Sequence, residues 1–158
     1  MSVRVSYALR IILPAIWIGM IIAIDLIEAP LKFQAPGITI PLGLGIGRLV
    51  FLAMNIVELV LAVLMAISLW KPRADRRTWS LYGALVVMFA VKMTIIRPLL
   101  AQHTNAVLAG TSEGGSTTHY FYIAADAVIA FLLVWMLVSQ VKRIIPKVAV
   151  AATAEPIS

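Results

Sequence analysis

Four long apolar stretches constrain this chain more than any other feature of its sequence. They cover roughly residues 9–29, 47–70, 79–100 and 120–141. A helix needs roughly 20 mostly apolar residues to cross the hydrocarbon core of a bilayer, and each stretch reaches that length. Strands of membrane barrels are about half as long and alternate in polarity, which these stretches do not. The sequence therefore predicts an all-α protein, a four-helix transmembrane bundle.

The composition excludes several other classes of protein. Hydrophobic residues make up 62% of the 158 residues and charged residues 13%, against about 45–50% and about 25% in soluble domains. So little charge could not cover a soluble surface, and disordered chains need low hydrophobicity. The absence of cysteine excludes disulfides, thiolate metal sites and cysteine nucleophiles. The net charge is +6, and the basic residues that produce it lie where they would orient the protein in a membrane. We therefore expect no nucleic-acid partner.

The sequence predicts one membrane domain, residues 1–145, followed by a flexible cytoplasmic tail, residues 146–158. The first apolar stretch exceeds the roughly 7–15 apolar residues of a signal peptide, so we expect it to be retained. A short charged loop separates the second and third spans, and a polar loop rich in glycine and serine, residues 111–118, separates the third and fourth.

Lysine and arginine counts predict the orientation of the bundle. The N-terminus, the second loop and the C-terminal tail hold nine basic residues on one side, and four lie on or near the other. Short loops that face the cytoplasm carry the excess of lysine and arginine. We therefore expect both termini to be cytoplasmic, in a protein of the bacterial cytoplasmic membrane whose first partner is the lipid bilayer.

Polar residues inside the spans are the main indication of function. An ionised side chain at the centre of a membrane helix costs about 2.5–3.5 kcal/mol, so such residues face a partner or a wet cavity. On three of the spans they share one helical face, and the third span adds two more. The candidate ligand-binding residues are Asp25, Glu28, Arg48, Asn55, Glu58, Lys92, Arg97, His119, Tyr122 and Asp126.

These faces predict one outward-opening polar cavity. All four helices place their ionisable groups in the predicted outer half of the membrane, with Glu58 deepest, about 16 Å along its span at 1.5 Å per residue. The inner half is expected to be nearly all apolar. With Lys32 included, four acids face four bases, so the charges can balance. A buried carboxylate such as Glu58 could bind a proton or a cation.

Four of the candidates could also bind a metal. Glu28, Glu58, His119 and Asp126 offer the histidine and carboxylate ligands that suit zinc, manganese or iron. The Glu-x-x-His pair of helical di-metal sites is absent, and a hydrogen-bonded interfacial histidine is the competing interpretation. A divalent metal is thus one possible cofactor. Haem is disfavoured because both histidines, His103 and His119, lie near an outer loop.

Three patches resemble the small membrane proteins typified by transmembrane protein 205. The first combines Trp17-Ile18-Gly19 with EAPLKF at residues 28–33, and the second is GRLVF at residues 47–51. The third pairs Arg97-Pro98 with His119 and Tyr120. The resemblance implies a four-helix fold and a membrane location, and it implies no particular reaction.

Three classes of function fit this pattern. The first is a protein that binds or transports a cation, proton or small polar solute, with a homo-oligomer completing any continuous pathway. The second is an intramembrane enzyme for a lipid-soluble substrate, with His119 or Glu58 as general base and Arg48 or Arg97 holding an anionic group. The third is an accessory subunit of a larger membrane complex.

Overall fold

The computed structural model describes the backbone of residues 2–112 and 117–153 and the side chains of residues 2–112 and 118–144. Over these residues the protein is all-α, as predicted. Its four helices are α1 (Val3–Gln34), α2 (Ile40–Trp70), α3 (Arg76–Leu108) and α4 (Thr117–Thr153). Each is long and apolar enough to cross a membrane, so the protein is an integral membrane protein.

The helices are longer than the predicted spans because polar residues cap them beyond the apolar core. Ser2, Thr39 and Asp75 precede α1, α2 and α3 in extended conformation, and each accepts a hydrogen bond from a backbone N–H of the first turn. Such caps satisfy donors that the helix itself leaves free. α4 includes the first part of the predicted tail, whereas residues 154–158, like residues 113–116 of the polar loop, lie outside the described residues.

The helices form a bundle in which α1 packs against α2 and α4, and α3 packs against the same two helices. The buried side chains between them are mostly large and apolar, among them Leu13, Leu69, Leu133 and Met136. Leucine, isoleucine and valine are also exposed around the outside, with Leu59 54% and Val87 64% exposed. In a membrane protein these outer side chains contact lipid.

One end of the bundle, hereafter the closed end, is sealed by polar contacts. It comprises the first turns of α1, the connection of residues 71–75 and α4 near Arg143. Arg10 donates from Nε and Nη2 to the carbonyl oxygen of Ser68, at 3.0 and 2.8 Å, and also to that of Pro72. Ser6 donates to the carbonyl of Lys71. The expectation of a nearly apolar inner half is wrong here, because the C-terminal carbonyls of α2 need donors.

The opposite end, hereafter the open end, contains two π-helical segments, Ile22–Glu28 in α1 and Lys92–Ile96 in α3. Each ends two residues before a proline, and the intervening residue donates its N–H to a carbonyl five residues back. Proline cannot donate and clashes with the carbonyl of the preceding turn, which the wider π turn relieves. Asp25 and Lys92 lie in these segments.

Two glycines let α1 approach α2 closely at the open end. A Cβ atom on Gly43 would lie 2.4 Å from the Phe33 ring, and one on Gly47 would lie 2.8 Å from Nζ of Lys32. Gly45, on another face, has open space around it. Close packing against α1 therefore requires glycine at positions 43 and 47 and does not require it at position 45.

Candidate functional site

The centre of the site is Lys92, whose ammonium is completely buried between two carboxylates. Nζ donates to Oε1 and Oε2 of Glu58, at 3.0 and 2.9 Å, and to Oδ1 of Asp126. Lys92 and Glu58 are 0% exposed and Asp126 is 1% exposed. Three of the four helices thus contribute one charge each to a group that no solvent reaches, and α1 adds a neutral donor.

That donor is Trp17, which donates from Nε1 to Oε1 of Glu58 at 3.0 Å. On the other side of the ammonium, the ring of Tyr122 lies with its centroid 4.7 Å from Nζ of Lys92. The hydroxyl of Tyr122 donates to Oδ1 of Asn55 at 3.0 Å. A cation is attracted to the face of an aromatic ring, so Tyr122 both covers Lys92 and connects it to Asn55.

A third carboxyl group completes the acid cluster, which we define as Asp25, Glu58, Lys92 and Asp126. Asp25 on α1 is a near neighbour of Asp126 on α4, close enough for each carboxyl to influence the charge of the other. Two ionised carboxylates can only accept, so a hydrogen bond between them requires a proton on one. Without that proton, both oxygens of Asp25 and Oδ2 of Asp126 are buried with no hydrogen-bond partner among the described residues.

Above the acid cluster a cavity of about 1170 Å³ opens at the open end of the bundle. All four helices line it, mostly with apolar side chains such as Leu26, Leu52 and Ile123. Asp25 and Tyr122 form its floor, because they border both the cavity and the acid cluster. The single polar cavity expected from the sequence is therefore two features, a sealed cluster of charges and an apolar cavity above it.

The polar residues in the cavity wall are mainly basic. Lys32, Arg48 and Arg97 line it together with His103 and His119, against the single carboxyl of Asp25. Lys32 pairs with Glu28 at 3.3 Å, one turn away on α1. Arg48 donates from Nη1 to Oδ1 of Asn105 at 3.1 Å.

The structure therefore divides the ten predicted site residues into three groups. The acid cluster and its immediate neighbours contain Asp25, Asn55, Glu58, Lys92, Tyr122 and Asp126. The cavity wall contains Arg48, Arg97 and His119. Glu28 belongs to neither and pairs with Lys32. The sequence predicted that four acids and four bases could balance; in the structure two of the acids share Lys92.

The four candidate metal ligands do not meet. No group of three or more histidines and carboxylates with the geometry to bind a metal occurs among residues 2–112 and 118–144, whose side chains the structure describes. Glu58 and Asp126 are bonded to the ammonium of Lys92, which occupies the place that a cation would take between them. Glu28 and His119 belong to the upper part of the open end, away from that pair.

Sequence reasoning missed Trp17 and His103 as parts of the site. A tryptophan inside an apolar span has an N–H that needs a partner when buried, which would have pointed toward the nearest carboxylate. His103 lies only five residues beyond Pro98, yet α3 continues through it and turns it into the cavity. The apparent loop position of His103 concealed this.

No family model, curated protein or solved structure matches the chain. The resemblance to the family of transmembrane protein 205 therefore stays a prediction.

Proposed function

We propose that the protein is a proton-coupled membrane carrier that takes up its solute through the cavity. The observation that carries this proposal is the charge of the acid cluster, in which three carboxyls face one ammonium. If all were ionised, the group would hold two surplus negative charges away from water. Burying unpaired charges is costly, so protons or another cation must neutralise them.

Protons fit this requirement better than metal ions. Lys92 already fills the space between Glu58 and Asp126, whereas a proton between Asp25 and Asp126 needs no additional room. It would also give a partner to carboxyl oxygens that otherwise have none. Asp25 lines the cavity, so a proton can enter there without crossing the apolar core.

Access from one end only favours a carrier over a pore. Between the acid cluster and the closed end the interior is filled by side chains such as Leu13, Met65, Leu69 and Leu133. A carrier exposes its site to one side at a time, and this arrangement has the form of one such state. The lysine and arginine count predicts that the open end faces away from the cytoplasm.

The enzyme hypothesis is less well supported by this geometry. Glu58, one of its two candidate bases, is sealed below the cavity and bonded to Trp17 and Lys92. A general base must come within about 3 Å of the proton that it removes, which Glu58 cannot do for a molecule in the cavity.

Infrared spectroscopy of the protein in lipid nanodiscs tests the proton. At neutral pH we expect the carbonyl band of a protonated carboxylic acid, shifted on transfer to heavy water. Asp25→Asn and Asp126→Asn should each weaken it. Glu28→Gln, which removes a carboxyl from outside the acid cluster, should leave it unchanged. Absence of the band from the wild type would contradict the proposal, as would an equal loss in the Glu28 variant.

A further inference from the structure

We infer that the cavity binds an anionic amphiphile, a molecule with one acyl chain and a phosphate headgroup. This inference names the substrate class of the proposed carrier and rests on that proposal for the role of the cavity. It does not depend on where the proton binds. Three observations carry it: the size of the cavity, its apolar wall and the sign of its charges.

The cavity is larger than a site for a small polar solute or an ion requires. Binding pockets for drug-sized molecules occupy roughly 300–1,000 Å³, and this one measures about 1170 Å³. Its wall contains leucine, isoleucine and phenylalanine from α1, α2, α3 and α4. Apolar surface of this extent gains free energy by covering a hydrocarbon chain, and it offers few partners to a sugar or amino acid.

The charges that line the cavity fit an anion. Arg48 and Arg97 form no ion pair with any carboxylate among the residues whose side chains are described. The partner of Arg48, Asn105, is neutral and leaves its charge uncompensated. Arginine presents a planar set of donors that suits the oxygens of a phosphate. We therefore assign the headgroup to these two arginines.

His103 provides a separate indication of a missing partner. The side chain of His103 lines the cavity. Its Nε2 atom is buried and has no hydrogen-bond partner among the described residues. Buried polar atoms in native proteins nearly always have a partner. A headgroup oxygen held by Arg97, six residues earlier on α3, would supply an acceptor for an N–H of this ring.

Lys32 borders the same space and is already engaged. Its ammonium pairs with Glu28 and lies 5.4 Å from the centroid of the Phe51 ring and 5.7 Å from that of Phe33. We assign it a supporting role, in which it adds positive charge to the wall. Arg48 and Arg97 remain the residues to substitute.

The test measures binding to the full-length protein in nanodiscs of phosphatidylcholine. The probes are lysophosphatidic acid and lysophosphatidylcholine with the same acyl chain, and inorganic phosphate is the competitor without a chain. We expect lysophosphatidic acid to bind at least about tenfold more tightly than its zwitterionic counterpart. Inorganic phosphate at the same concentration should not displace it. Equal affinity for the two lipids, or displacement by phosphate, would overturn the inference.

Substitutions locate the site. Arg48→Gln and Arg97→Gln should each weaken binding of lysophosphatidic acid about tenfold. They should weaken binding of lysophosphatidylcholine less, because its choline cation offsets the charge of its phosphate. Arg76→Gln, an exposed arginine at the closed end, is the matched control and should have no effect. If Arg76→Gln weakens binding equally, the lipid binds by general surface charge and the inference fails. A melting curve of each variant verifies folding.

Asp126→Asn separates this inference from the proposed carrier, because Asp126 is buried below the cavity and does not line it. The substitution should remove part of the protonated-carboxyl band and leave the affinity for lysophosphatidic acid unchanged. If the wild type lacks the band but binds the lipid through Arg48 and Arg97, the carrier proposal fails and the amphiphile site stands. If the band is present and the lipid does not bind, the amphiphile site fails alone.

Discussion

The closed end and the open end of this bundle treat their buried polar groups in opposite ways. At the closed end, Arg10 is 5% exposed and is bonded to backbone carbonyls, and Gln140 donates to Thr78 at 3.0 Å. In the open half, the described residues leave five buried side-chain atoms without a partner. They belong to Asp25, Asn55, His103 and Asp126.

The difference indicates which half is built for stability and which for binding. Unpartnered polar atoms cost free energy, and native proteins retain them where a ligand, a proton or water completes them. All five such atoms lie at or near the acid cluster and the cavity, and the described part of the closed end contains none. Substitutions at the two ends should therefore differ in kind, and the following predictions compare them.

The largest effect is expected from Lys92→Met. This change leaves three carboxyls in the core with no cation, and breaking a buried ion pair costs about 3–5 kcal/mol. We expect the apparent melting temperature in detergent to fall by about 10 °C. The loss should shrink at lower pH, because protons can then neutralise the carboxyls.

Lys32→Met is the matched control for Lys92→Met. Its ammonium lies at the cavity wall and pairs with the partly exposed Glu28, so its loss should shift the melting temperature much less. Similar losses in both variants would show that the acid cluster is not special.

The second prediction compares two arginines, one at each end. Arg10→Met removes hydrogen bonds to buried carbonyls of Ser68 and Pro72, so we expect a cost of about 1.5–3 kcal/mol, or about 5 °C. Arg97→Met removes a charge that has no acidic partner among the described residues, and its melting temperature should change by less than about 2 °C. Thermal unfolding of both proteins in one detergent measures the contrast. A larger loss in Arg97→Met would reverse the comparison.

The buried polar contacts of the open half show how much of the site the sequence could predict. Apolar length gave the four helices, and helical spacing placed Asn55 and Glu58, or Tyr122 and Asp126, on shared faces that meet in the structure. Periodicity within one helix does not say which atoms of neighbouring helices touch. The sequence therefore could not show that Lys92 bonds two carboxylates.

Arg10 was counted only among the basic residues of the N-terminal side, and its buried contacts could not be predicted for a different physical reason. Near the end of a span, a basic residue usually indicates the orientation of the helix, and its side chain is expected to be exposed to solvent. Whether it instead turns inward depends on where the carbonyls of another helix end, here those of Ser68 and Pro72. These hydrogen bonds join residues 58 and 62 positions apart, so no local sequence pattern predicts them. Arg97 also lies near the end of a predicted span, and its side chain lines the cavity.

The third prediction sharpens the account of the open end through two glycines of α2. Alanine is more favourable than glycine in a helix by about 1 kcal/mol, so Gly45→Ala, which meets open space, should raise the melting temperature by about 2–4 °C. Gly43→Ala brings a Cβ within 2.4 Å of the Phe33 ring. That ring must move, so the gain should vanish or become a loss. An equal rise in both variants would contradict the close approach of α1 and α2.

The smallest effect concerns Asp75 at the closed end and depends on the titration of its carboxyl. Partial burial would raise the pKa of this carboxyl, but hydrogen bonds from Arg143 and Thr78 outweigh it and lower the pKa to about 2. Since the pKa is lower in the folded protein, the pair stabilises the fold above pH 4 and this contribution disappears between about pH 4 and pH 2. Asp75 and Arg143 are each 41% exposed, and exposed pairs contribute at most about 1 kcal/mol.

Asp75→Asn isolates this charge, because asparagine caps a helix about as well as aspartate. We expect the variant to melt about 1–3 °C lower at pH 6, and the difference from the wild type to close as the pH falls toward 2. Melting curves over this range measure it, with Asp25→Asn as the contrast from the open half. Asp25 forms no ion pair or hydrogen bond with a basic side chain within the described residues, so its substitution should not lower the melting temperature at pH 6. If Asp25→Asn is the more destabilising of the two, the unpartnered acid is holding the fold together, and the division between a stabilising end and a binding end is wrong.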